Sequence, residues 1–171
     1  MSRAGVAVAS RRSDEPQRNH GFAVARTVQN LADVNPSELQ QRTFSFAVRA
    51  YTFVRPLLRH VETRRVGDQL VKASTSVAAN YRAACHARSR REFCSKIGTV
   101  REEADEALFW LEFIRAAGLA GGRVLNELLA EARELAAIFA ASYRTVQRGL
   151  NADRRERTSP QRLKPALDRG S

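Results

Sequence analysis

The chain of 171 residues is 43% hydrophobic and holds only nine Gly and five Pro, which suits one core with tails and leaves too few turn formers for a sandwich or barrel. Its formal net charge of +11, from 29 Lys plus Arg against 18 Asp plus Glu, favours polyanionic partners. No apolar run approaches the roughly 20 residues a membrane-spanning helix needs, and two cysteines nine positions apart suggest neither a disulfide framework nor a zinc site.

Nearly all the cations are Arg; Lys72, Lys96 and Lys164 are the exceptions. A guanidinium is weakly hydrated and forks onto phosphate oxygens, so this surface suits nucleic acid, with a coding bias toward Arg as the plain alternative. Residues 1–36 carry 5 cations and 3 anions and residues 148–171 carry 7 and 3, so 17 and 12 remain between them, about half the excess. With no secretory signal ahead of them, Cys85 and Cys94 read as reduced thiols of a cytoplasmic protein without a membrane partner.

Residues 1–36 lack sustained periodicity and read as a disordered basic arm. They end in a helix-start signal: Asn35 can cap, Pro36 fits the first helical position, and Glu38 falls at the capping-box position. A first helix is expected near 37–58, with Phe46, Ala50, Phe53 and Leu57 on one stripe and Phe44, Val48 and Tyr51 beside it, a wide apolar face. Pro56 should end or kink its last turn, with the bend at Thr63 to Arg65.

The second helix, near 65–86, repeats Val66, Leu70, Ala73, Val77, Tyr81 and Ala84 at steps of three and four. Its small interior, Ala73 to Ser76 and Ala78-Ala79, predicts a close helix crossing. Ser76 and Asn80 share one face there and are candidates for an interhelix hydrogen bond. The third helix, near 89–118, is capped by Ser89 with Glu92 and carries Phe93, Ile97, Val100, Ala104, Ala107, Leu111 and Ile114. A fourth, near 123–148, follows Gly121-Gly122 with Leu125, Leu128, Leu129, Leu135, Phe139 and Val146. Short links make successive helices antiparallel, so the expected fold is all-α, an up-down four-helix bundle over 37–148. From Gly149 the chain reads as a flexible basic tail to residue 171.

Ferritin-like metal sites need Glu-x-x-His pairs, and none of His20, His60 and His86 follows a Glu by three, so no metal or other cofactor is expected. Cys85 beside His86 falls at adjacent helical positions, which point in different directions, and no phosphate-binding glycine loop occurs. The acidic run Glu102, Glu103, Asp105 and Glu106 repels itself and calls for a basic counterpart, on the second helix or on a neighbouring subunit; a solvated face is the alternative. The candidate nucleic-acid contacts are Arg82, Arg88, Arg90, Arg91 and Lys96, around His86 at the turn between helices two and three; a merely solubilising turn is the alternative.

The string Asp68 to Ala84, followed by Ala87-Arg88-Ser89-Arg90-Arg91-Glu92-Phe93, resembles the signature of the four-helix-bundle family that includes proteins encoded in 23S ribosomal RNA intervening sequences. The resemblance extends through Glu102 to Glu106 and Phe109 to Glu112 and covers roughly residues 38–147. It implies an antiparallel bundle that associates into rings, typically pentamers, in a family that includes accessory proteins of diversity-generating retroelements, which bind a reverse transcriptase and nucleic acid. Many members carry Ala-Glu-Gly where this chain has Arg82-Ala83-Ala84, so no role of that Glu or Gly is carried over. The resemblance implies no catalytic residue. The expectation is a non-enzymatic homo-oligomer that binds RNA or DNA as an adaptor, or else a structural interaction module docking a partner such as a reverse transcriptase.

Overall fold

The apolar stripes close on one another as four α-helices in the computed structural model, which describes residues 35–158. These are α1 (Pro36–Val54), α2 (Val61–Cys85), α3 (Arg90–Ala116) and α4 (Arg123–Thr158), with a 3₁₀ turn, η1 (Leu57–Arg59), between the first two. No strand occurs among the described residues. The arm before residue 35 and the tail beyond residue 158 lie outside them.

Neighbouring helices touch in the order α1, α2, α3, α4, and α4 closes back onto α1. Cross-helix pairs fix the directions. On α1 and α4, Arg42 meets Glu131 and Glu134 whereas Arg49 meets Glu127, so one helix ascends as the other descends. Arg133 pairs with Glu112 while Arg101 lies over the Tyr143 ring at 4.8 Å, giving α3 and α4 the same opposed sense. The bundle is therefore antiparallel.

The core follows the three- and four-residue steps closely. Leu70, Ala73, Val77, Tyr81 and Ala84 of α2 face Ile97, Val100, Ala104, Ala107, Leu111 and Ile114 of α3, all buried. From α4 come Leu125, Leu128, Leu129, Leu135 and Phe139, the last with its ring centroid 5.2 Å from that of Tyr81. Burial of Tyr81, with Cys85 adding to it, pushes the phenol well above its ordinary pKa. Burying a large apolar side chain stabilises by roughly 1.5–3 kcal/mol, so these stripes dominate the fold's stability.

Three expectations need correction. Phe44, Val48 and Tyr51 are exposed at 59%, 47% and 49%, so the buried face of α1 is narrow. The residues of α2 at their level are Thr75, Ala78 and Ala79, too short to cover them, and the result is an open groove of about 800 Å³. The bend after α1 falls at Arg55 to His60, not at Thr63 to Arg65. Pro56 starts η1, His60 is extended at φ −110° and ψ 132°, and the amides of Thr63 and Arg64 already bond to the His60 carbonyl. Gly67 makes room for Leu58 at this corner: a Cβ there would stand 2.8 Å from Leu58 Cδ2, and that side chain would have to shift. Finally, α4 runs ten residues past the expected end at 148, to Thr158.

Candidate nucleic-acid interface

The turn between α2 and α3 is built by its capping groups. Ser89 is extended and its Oγ accepts from the Glu92 amide at 3.1 Å, while the Glu92 carboxylate accepts from the Arg88 amide at 2.9 Å. These bonds satisfy amides that the first turn of α3 leaves without intrahelical partners. They also fix the points from which Arg88, Arg90 and Arg91, all exposed, project.

The extra turns of α4 arrive beside them. Arg90 Nη1 donates to Asp153 Oδ2 at 3.1 Å, and its guanidinium crosses α4 at Gly149, where a Cβ would come within 3.4 Å of the same nitrogen. Between the start of α3 and the end of α4 opens a cleft of about 1060 Å³, lined by Ser89, Arg90, Arg91, Cys94, Gln147, Leu150, Asn151, Asp153 and Arg154. Cys94 is buried and Leu150 half-buried, so the cleft has an apolar floor under a cationic rim.

The five candidate cations are not all brought together. Arg90 and Arg91 line the cleft and Arg88 stands at the adjoining turn. Arg82 instead borders the groove between α1 and α2. Lys96 is half-buried and reaches Glu92 at 3.8 Å, one turn away on its own helix. Sequence reasoning missed Arg154 and Asp153 because Gly149 looked like a helix end. The signal was present: Val146 and Leu150 continue the apolar step, and no proline intervenes before Pro160.

Within the chain the acidic row on α3 meets two cations, Arg101 of the same helix beside Glu102 and Lys72 of α2 near Glu103, and one neutral donor, Trp110. Arg101 Nη2 donates to Glu102 at 3.1 Å, and Trp110 Nε1 donates to Glu106 at 3.1 Å. Glu103 points toward α2, where burial first, then Glu106 and Glu102, raise its pKa, while Lys72 and the Ser76 hydroxyl pull it back down. Its Oε2 is buried without a hydrogen-bond partner. The interhelix bond expected of Asn80 is not among those formed by the described residues; its amide is half-buried on the Ser76 face. Cys85 is half-buried beside Tyr81 while His86 is exposed, so the adjacent pair does not converge. No cluster of three His, Cys, Asp or Glu side chains suited to a metal occurs among the described residues, and none of their helices is long and apolar enough to cross a membrane.

A model of the 23S rRNA-intervening sequence protein family matches residues 36–141. The chain belongs to that family. A crystal structure of a protein with unknown function from the S23 ribosomal protein family of Bacteroides thetaiotaomicron is similar, with a TM-score of 0.56 and 23% identity over 61% of this chain and 96% of that one. At that identity the likeness concerns the fold. No curated protein matches the chain. The matched span contains the basic turn and the acidic row, whereas Gln147 to Arg154 of the cleft lie beyond it.

Proposed function

We propose that the protein is a non-enzymatic, self-associating bundle that binds nucleic-acid phosphates at its turn end and serves as a ribonucleoprotein adaptor. One observation carries this reading: the cations of the α2–α3 turn and of the last turns of α4 meet around a single open cleft. Guanidinium groups over an apolar floor hold phosphate oxygens without reading bases. The net charge of +11 adds a long-range attraction of the same sign.

The test is fluorescence anisotropy with labelled single-stranded RNA and DNA over a salt series. Affinity from released counterions falls linearly on a log–log plot with a slope of about 0.9 per phosphate contact on duplex and about 0.7 on single strands. Replacing Arg88 and Arg91 together by Gln should lower that slope by about one to two. Binding indifferent to salt, or absent at low salt, would reject the reading.

Self-association is supported by exposed apolar side chains on two separate faces: Phe44, Val48 and Tyr51 along the α1–α2 groove, and Phe109 and Phe113 on α3. Two different patches that pair between copies make a heterologous contact, the kind that forms a ring when the rotation between copies closes. A ring of five copies is the assembly proposed. The same groove gives the second reading its support, with another polypeptide such as a reverse transcriptase as its occupant; native mass of the purified protein separates the two, since only self-pairing gives a multiple of the chain mass.

A further inference from the structure

The cleft at the end of the bundle already holds an anion. The Asp153 carboxylate occupies the Arg90 guanidinium at 3.1 Å, and the two side chains are 51% and 61% exposed, so either can be released into water. The carboxylate comes from the part of α4 beyond the residues that the family model matches.

We propose that Asp153 occupies the seat of a nucleic-acid phosphate, and that backbone phosphodiester binding takes Arg90 by displacing it. The inference rests on the nucleic-acid reading above and adds to it a named seat and an internal competitor. Three features support the placement. Arg90 lies across Gly149, where the missing side chain lets the guanidinium rest on the helix and its Nη1 reach Asp153. Arg91 stands exposed on the rim beside it to receive the oxygens Arg90 does not reach. An exposed pair of this kind is weak, whereas a guanidinium can bond a phosphate through two parallel N–H donors, so exchange favours the phosphate.

The experiment is a double-mutant cycle on the full chain, read as RNA affinity by anisotropy at low salt. Asp153→Asn should tighten binding about threefold to fivefold, the range an exposed ion pair allows. Arg90→Gln should weaken binding and lower the salt slope by about one. The double variant should match Arg90→Gln, because Asp153 acts only through Arg90. If Asp153→Asn tightens binding equally in the Arg90→Gln background, the carboxylate merely subtracts from the general field and the seat is wrong. Wild-type RNA binding with no gain in Asp153→Asn overturns the seat while leaving the nucleic-acid reading standing; no binding by either protein removes both. Orthophosphate at matched ionic strength should leave the RNA complex intact, and competition as effective as unlabelled RNA would assign the cleft to free phosphate and overturn the proposal.

Discussion

Glu103 is the side chain most at odds with its surroundings. Its carboxylate is turned between α2 and α3, one oxygen has no hydrogen-bond partner, and Glu106 and Glu102 stand on the same helix. Lys72 and Ser76 offset part of this from α2, and the net effect is a pKa above the ordinary carboxylate value. A carboxyl whose folded pKa is raised binds its proton more tightly in the native state, so ionisation weakens the fold. That loss is present at neutral pH and is relieved as pH falls through the folded pKa. Glu103→Gln should therefore raise Tm at pH 7 by about 1–2 °C, the size fitting a partly solvated charge in a chain of this length. The gap should close as pH drops below the folded pKa, and thermal melts across pH 4 to 8 measure it. A lowered Tm at pH 7 would mean that Lys72 and Ser76 outweigh the burial.

Among the elements, α3 shows how strongly a helix start can be specified. Ser89 and Glu92 satisfy amides at its first turn, and the same turn carries the exposed arginines of the candidate interface. Ser89→Ala should cost about 1 kcal/mol in urea unfolding and also weaken RNA binding, since fraying would scatter Arg90 and Arg91. Unchanged stability would show that the cap is redundant with the packing of Ile97 and Val100. This cap, the α2 and α3 stripes and the antiparallel links were legible in the sequence, because local periodicity and capping chemistry alone determine them. The exposed side of α1 was not: whether Phe44 and Tyr51 are covered depends on the size of Ala78 and Ala79 on another helix. Nor was the end of α4. Gly149 costs helix only about 1 kcal/mol against Ala, and the ordered helix runs through it, with the Arg90 guanidinium lying across it. The cleft depended on that misread boundary, so half of its residues escaped sequence reasoning.

At the scale of the molecule, charge and apolar surface are separated: the cationic cleft is at one end, while Phe44, Val48 and Tyr51, and Phe109 and Phe113, lie along the flanks. Assembly through the flanks would leave each cleft open and set several of them on one particle. A strand long enough to touch two clefts then binds the second intramolecularly, and the gain in avidity can reach about 10²-fold or more without any new contact. Phe44→Glu and Phe109→Glu place a charge in the proposed contact from opposite sides, and because both side chains are exposed, neither should disturb the core. Each single variant should fall to monomer mass by light scattering while keeping its helical circular dichroism. On a short oligonucleotide that fills one cleft, both should match the wild type. On a long RNA they should lose the avidity, so the ratio of long to short affinities collapses. Wild-type mass in both variants would place the contact elsewhere on the bundle, and an undiminished ratio in a proven monomer would show that one cleft suffices for tight binding.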